Sequence, residues 1–368
     1  MGCGASKQKK EKKKKSEDSK PPVEIKGTKD EIKKTLEDLI KKEEEEYNQK
    51  VKEKEEKEKK KAEEAKKSPK KNATKPMAHK KPKDLTKIKV KTLALSESKL
   101  GDTGAEALAE LAIAFFEGLK LSKNDITAIG AGFLAKSTTW TNLQALDLSK
   151  NKIGAEGAAA LAKNNSWPGL RELKLSKSEI GPDGAAALAQ NASWVQLSYI
   201  NLSENGVGPK GAAALSLNAS WVNLQVLHLN VNQIEAEGAT ALAKNITWTK
   251  LTTLNLAKNN IGPEGAAALA QNTSWVNLKT LDLAWNNIGA KGATGLAQNK
   301  SWVALDKLKL SWNDLKEEGA KELCKNEAWK DLKEINLSDN SIGDEGEKAV
   351  KDRWKEIKLK LKGYDDDD

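Results

Sequence analysis

Apolar residues follow two different patterns along this chain. From residue 143 onward a stem such as Leu143, Leu146 and Leu148 is followed by a polar turn and an alanine-rich segment, and the cycle restarts every 27 residues. Marker leucines fall at Leu148, Leu175, Leu202, Leu229, Leu256, Leu283, Leu310 and Leu337. Tryptophans keep step at Trp140, Trp167, Trp194, Trp221, Trp248, Trp275, Trp302 and Trp329, and looser copies marked by Leu95 and Leu121 make ten units. The alternating stem predicts a short strand with one face inward. Asn151 turns the chain, Gly154 opens the turn into a helix, and Ala158 to Ala162 are good helix formers. Pro182, Pro209 and Pro263 fall in the first helical turn, where a missing N–H costs nothing. Gly157 is expected to let the helix approach the strand closely. The Asn after each helix (Asn191, Asn218, Asn245, Asn272, Asn299) is expected to form a left-handed C-terminal cap. One unit cannot bury its own apolar face, but stacked units can, so the repeat predicts a solenoid.

The pattern LxxLxLxxNxIGxxGxxxLA, covering about residues 88–362, resembles the leucine-rich repeat family, specifically its cytosolic ribonuclease-inhibitor-like class. Similar repeats occur in Ran GTPase-activating and NOD-like receptor proteins. The resemblance implies an α/β horseshoe, with a parallel sheet on the concave side and helices on the convex side, carrying an N-terminal disordered or helical arm. The period is slightly shorter than is usual for this class. The asparagine ladder (Asn124, Asn151, Asn205, Asn232, Asn259, Asn286, Asn313, Asn340) lapses to Ser98 and Ser178.

Ahead of the repeats the pattern is dominated by charge. Residues 1–27 read as a polybasic arm, 28–67 as a Glu/Lys helix, 68–84 as a Pro- and Lys-rich linker, 85–362 as the repeat domain and 363–368 as an acidic tail. In the helix, Thr28 or Asp30 supplies a cap, and Ile32, Leu36, Leu39 and Ile40 form a brief apolar stripe. Interleaved Glu and Lys support a solvated helix, and the stripe covers too few heptads for a coiled coil, so a semi-rigid spacer is expected over a short coiled coil. Leu85, Ile88 and Val90 are expected to cover the first edge of the solenoid, and Ile357, Leu359 and Leu361 to close the last. Residues 1–84 contain 29 Lys and 19 acidic residues, so the whole +10 of the chain lies there and the repeats are neutral. The basic balance therefore says nothing about the repeat surface.

The first residues, MGCGAS, match a myristoylation pattern with Gly2 as acceptor, and Cys3 is placed for palmitoylation. Behind them stand Lys7, Lys9, Lys10, Lys12, Lys13, Lys14 and Lys15. One acyl chain binds membranes only marginally, and a second chain or a polybasic patch makes the attachment stable. Each Lys near an anionic leaflet adds about 1 kcal/mol. The expected location is the cytoplasmic face of a eukaryotic membrane, plasma or ciliary. The two cysteines, Cys3 and Cys324, fit a reducing compartment. No apolar run suggests a secretory signal, so the many Asn-x-Ser/Thr triplets read as structural turns and not as glycan acceptors.

Catalytic chemistry finds no constellation here. The two histidines, His79 and His228, assemble neither a triad nor a metal set, so no cofactor, metal or small-molecule substrate is expected. The acidic tail cannot form a fixed metal cage. Binding is then the expected role, on the positions flanking the strand leucines: Asp147, Lys174, Tyr199, His228, Asp282 and Lys309 among them. Mixed charge suits a protein partner better than nucleic acid. Trp285 and Trp312 stand outside the tryptophan ladder, each just before a ladder asparagine, in a slot that Lys123, Lys150, Lys177 and Lys258 fill elsewhere. They are expected side by side and exposed on the loop rim. Two other readings are a Ran-GAP-like regulator, for which the chain offers only Arg171 and Arg353, and nucleic-acid binding by the arm, which lacks interleaved aromatics.

Overall fold

The computed structural model describes residues 23–67, 92–111 and 116–361. The strands are β1 Thr92–Ala94, β2 Gly118–Lys120, β3 Ala145–Asp147, β4 Glu172–Lys174, β5 Tyr199–Asn201, β6 Val226–His228, β7 Thr253–Asn255, β8 Thr280–Asp282, β9 Lys307–Lys309, β10 Glu334–Asn336 and β11 Lys358–Lys360. They form one parallel sheet in strict sequence order. Register follows the repeat, so Leu119 faces Leu146 and Leu146 faces Leu173. In most strands the central residue turns into the core and its neighbours face out. A helix follows every strand except the last, among them α2 Gly101–Glu110, α3 Ala128–Ala135, α4 Gly154–Ala162 and α11 Gly343–Arg353.

The helices are built of small residues because they pack on one another. A Cβ on Gly157 would lie 3.1 Å from Ala128 Cα and 3.1 Å from Ala131 Cβ, both on the preceding helix. The glycine therefore permits helix-to-helix approach and not the helix–strand contact expected of it. The ladder leucines and all eight periodic tryptophans are buried.

Two asparagine ladders stitch the repeats together. In the first, Asn286 accepts from Asn259 N at 2.9 Å and donates Nδ2 to Leu256 O and Leu283 O. Each rung thus serves a buried loop whose backbone has no strand partner. Ser178 keeps only part of this role, donating Oγ to Leu148 O at 3.2 Å.

The second ladder corrects an expectation. Asn191 and its counterparts do not take left-handed backbone; the residue before each, such as Lys163 or Gln190, ends the helix in right-handed conformation. Asn191 instead donates Nδ2 to Ala162 O of the preceding repeat at 2.7 Å and accepts from Ser193 N and Trp194 N. The side chain both staples two repeats and caps the next turn. Because it is buried and its Nδ2 is engaged, it is a poor glycan acceptor.

Both ends of the stack are closed by substitutes for a missing neighbour. At the first end, Ile25 N donates to Ser98 O at 2.8 Å, the kind of bond that Gly181 N makes to Asn205 O between repeats. Helix α1, Lys29–Lys67, starts in a capping box in which Thr28 N donates to Glu31 Oε2 at 2.8 Å and Glu31 N to Thr28 Oγ1 at 3.4 Å. Its stripe Ile32, Leu36 and Ile40 is buried beside Ile25, and Lys29 pairs with Glu106 at 2.8 Å on α2. The first turns of this helix are thus part of the repeat body, and the stripe assigned to a spacer is a lid over the first repeat. Leu85, Ile88 and Val90 lie outside the described residues.

At the other end Arg353 stands one repeat length after Asn326. It donates Nε to Cys324 O at 3.1 Å and Nη2 to Asn326 O at 2.9 Å, the carbonyls a further asparagine would take. Strand β11 then completes the sheet, as its apolar alternation suggests.

Candidate functional site

The outward residues, first and third in each strand, form a surface two residues wide per repeat. Asp147 is third in β3, Lys174 third in β4, Tyr199 first in β5 and His228 third in β6. The structure brings the last three into a row. Lys174 Nζ pairs with Glu172 and lies 5.4 Å from the centre of the Tyr199 ring, and the Tyr199 and His228 rings are 5.5 Å apart. Burial raises the Tyr199 hydroxyl above its ordinary pKa and lowers that of His228. Asp282 and Lys309 form a second group, an ion pair of 3.2 Å between β8 and β9. They are separated from the first group by β7, whose outward residues are the uncharged Thr253 and Asn255.

Beyond the strands the rim turns share one unusual backbone. The residue before each ladder position has a left-handed conformation: Lys258 at φ 58°, Trp285 at 60°, Trp312 at 58° and Asp339 at 59°. Each donates its N–H one repeat onward where the ladder runs, Lys258 to Ala284 O, Trp285 to Ser311 O and Trp312 to Ser338 O. Side chains in equivalent backbone leave in parallel, so residues 27 apart lie face to face. Trp285 and Trp312 accordingly stack with centroids 4.2 Å apart and planes 11° from parallel. Lys258 Nζ sits 5.0 Å from the Trp285 ring on the preceding repeat. Both indoles remain 45% exposed.

Several residues of this surface were not legible as site candidates. Val231, in the same left-handed slot at φ 59°, is exposed and helps line a depression of about 400 Å³ with Glu204, Asn230, Asn255, Ala257 and Lys258. Lys177 pairs with Glu204 at 2.8 Å one step before it. The signal in the sequence was the departure of Val231 and Asp339 from the lysine or glutamate that fills this slot in most other copies.

On the opposite edge, Leu217 and Ile246 are strongly exposed, and their sequence neighbours Ser216 and Asn245 are joined by a hydrogen bond of 2.8 Å from Asn245 Nδ2 to Ser216 O. A wider depression of about 780 Å³ lies on that edge near Gln298, Val303, Lys325 and Asp331. Its charges alternate and it gathers no chemistry.

Among the described residues no group of three or more His, Cys, Asp or Glu could hold a metal, and no helix is long and apolar enough to cross a membrane. Burial pushes the Cys324 thiol up to about 11, far from thiolate reactivity. Gly2, Cys3 and the lysines from Lys7 to Lys15 lie outside the described residues.

The leucine-rich repeat family model matches nine segments: residues 86–109, 141–162, 170–189, 197–216, 222–243, 249–270, 276–297, 305–324 and 330–350. Together they span just over half of the chain. The chain belongs to the leucine-rich repeat family. The second of the ten repeats escapes the match, yet it builds β2 and α3 in register, with buried Phe116 in place of the tryptophan. Among solved structures the repeat body is similar to an internalin from Listeria monocytogenes, with 20% identity, a TM-score of 0.41, and coverage of 74% of this chain and 86% of that one. No curated protein matches the chain. Leucine-rich repeat domains generally serve as protein-binding scaffolds, and the extended outward face described above has that form.

Proposed function

We propose that this leucine-rich repeat protein is a membrane-tethered, non-enzymatic scaffold that takes a protein partner on its concave face and the adjoining loop rim. The observation that carries this reading is the Trp285–Trp312 stack. Left-handed backbone costs a side-chain-bearing residue about 1–2 kcal/mol. Two such residues side by side, both indoles open to solvent, recover about 0.5–1.5 kcal/mol by stacking. Any residue at this slot bears that backbone cost, so folding gains only the stacking from leaving two indoles in water, whereas tryptophan is among the residues most enriched at the centre of binding hot spots.

The mixed charges of the face, many already paired across repeats, favour a protein surface over a phosphate backbone. Arg353, one of the two arginines, is engaged with carbonyls at the terminal cap, which weighs against its use as a finger toward a GTPase. The tether rests on Gly2, Cys3 and the lysines Lys7 to Lys15, which combine two acyl sites with attraction to an anionic leaflet on the cytoplasmic side. Val23, from which the arm continues, adjoins the lid on the first repeat, while the rim tryptophans belong to the eighth and ninth. Membrane attachment and partner capture are therefore assigned to opposite parts of the chain.

The decisive test compares proteins captured from membrane extract by the wild type and by the double variant Trp285→Ala/Trp312→Ala. A band lost only with the variant, at a folding stability changed by no more than about 1 kcal/mol, supports the reading. Equal capture by both would end it. The tether is tested separately with Gly2→Ala, which is expected to move the protein from the membrane to the soluble fraction. Protein from its native cell with Met1 intact and Gly2 and Cys3 unmodified would remove that half of the proposal.

A further inference from the structure

The rim column also indicates what kind of side chain the partner brings. The column runs Lys258, Trp285, Trp312, Asp339, in one backbone conformation and at one repeat spacing. Within the chain each pair of neighbours shows what that spacing does: it sets a lysine ammonium over one face of Trp285 and sets Trp312 against the other. The series then breaks. Trp312 N donates to Ser338 O at 3.1 Å, so Asp339 is the next residue in line, but its side chain is too short to stack on the outer face of Trp312. Asp339 is half-buried and has no ion-pair partner among the described residues. Lys309, on the strand of the same repeat as Trp312, is already held by Asp282 at 3.2 Å. An indole face bordered by an uncommitted carboxylate is complementary to a cation, since the ring quadrupole and the anion attract it together.

We propose that the outer face of Trp312, with the Asp339 carboxylate beside it, receives a basic side chain of the protein partner, arginine in preference to lysine. A guanidinium can lie flat on the indole while turning two N–H donors to the carboxylate; an ammonium reaches both less well. The bound arginine continues the stack that Lys258 begins, giving a cation, two indoles and a second cation in series. This inference rests on the partner-binding reading above and names the chemistry of its contact.

The test titrates the full chain, with its tryptophan indole nitrogens labelled, using three short blocked peptides: acetyl-Gly-Arg-Gly-amide, the same peptide with citrulline for arginine, and the same with glutamate. Trp312→Phe identifies the Trp312 indole resonance. Shifts of the Trp312 resonance with the arginine peptide alone support the proposal, as does affinity about threefold weaker in Asp339→Asn. Replacement of arginine by lysine in the peptide is expected to weaken binding by a further factor of about two to five. Equal response to citrulline, preference for glutamate, or indifference to Asp339→Asn overturns it.

One competitor for the position is the chain's own basic arm. If changing Lys7, Lys9, Lys10 and Lys12 to Gln moves the Trp312 resonance with no peptide present, the arm is the occupant and the proposal of an external arginine falls. Loss of partner capture in the double tryptophan variant without any arginine-dependent shift would sink this inference and leave the scaffold reading standing. An arginine-dependent shift without any loss of partner capture would sink the scaffold reading and, with it, the assignment of the arginine to a protein partner.

Discussion

Tryptophan occurs in two settings in this molecule, and the contrast separates what holds the solenoid together from what it offers to others. The eight periodic rings, Trp140 to Trp329, are fully or almost fully buried. Each buries its indole N–H without a hydrogen-bond acceptor among the described residues. Their value is apolar area and shape, repeated without variation. Trp285 and Trp312 are the reverse: exposed, confined to two repeats and held in backbone that disfavours them. A side chain that recurs at every step is explained by stacking; one that appears at two steps against the local backbone preference needs a reason outside the fold.

The largest effects should come from breaking the buried side of this contrast. Trp221→Ala removes a large ring from between neighbouring repeats and is expected to cost about 3–5 kcal/mol, read as a lower urea midpoint. Trp221→Phe should cost much less, because it removes the unpartnered N–H along with part of the ring. If Phe and Ala were equally damaging, the indole nitrogen would have a role that the structure does not show. Trp312→Ala, by comparison, should barely move the midpoint.

Next in size is the polar ladder. Asn286→Ala would leave Asn259 N and Ile261 N without their acceptor in a buried loop, at roughly 1–3 kcal/mol for each unsatisfied group. The natural lapse at Ser178 allows the opposite experiment. Ser178→Asn supplies the amide oxygen that the other rungs use toward the preceding loop, and should raise stability by about 1 kcal/mol. A loss of stability would mean that the loop around Ser178 has closed into the space an asparagine needs.

Smaller again is the strain on the rim. Val231 is β-branched in left-handed backbone, the type of residue least suited to it. Val231→Asn keeps the N–H bond to Ala257 O and should stabilise the protein by about 1 kcal/mol. A stabilised variant that also lost partner binding would place Val231 with the tryptophans on the side of function. Stability gained at no cost to binding would make its strain incidental.

Much of this was open to inspection in the primary structure, and the parts that were not share a physical cause. Spacing alone placed Trp285 beside Trp312, since residues one repeat apart must be neighbours in a parallel, in-register stack. The left-handed backbone of the slot was hidden because lysine and glutamate fill it in most copies, where glycine or asparagine would have announced it. The stripe Ile32, Leu36 and Ile40 was visible, but the surface it covers belongs to a helix some seventy residues later, and a lone apolar residue such as Ile25 gives no period to read. Arg353 occupies an asparagine position of the stride, yet its long side chain reaches the same two carbonyls by a different geometry, so residue type concealed the role. The Asn-to-Ala162 staple was misread as a local cap because one strand-turn-helix unit, taken alone, contains no partner for it.

The finest test lies on the sheet face, where a buried and an exposed character meet in one residue. His228 is held below its ordinary pKa of 6.5, chiefly by burial, with Lys309 acting in the same direction and Asp282 opposing it. In the unfolded chain the imidazole binds its proton at the higher value. As the pH falls through 6.5 toward the lowered folded value, the unfolded state therefore takes up more protons than the folded state and stability decreases; above 6.5 this contribution is fully present. His228→Asn removes the titrating group while keeping a polar side chain between Tyr199 and Asp282. Urea midpoints measured at about pH 7.5 and about pH 5 should therefore converge slightly in the variant relative to the wild type. An unchanged difference would mean that carboxylates alone set the acid sensitivity. It would also mean that His228 is as freely solvated as the rim tryptophans, and the line drawn here between the packed and the presented parts of the sheet face would have to move inward.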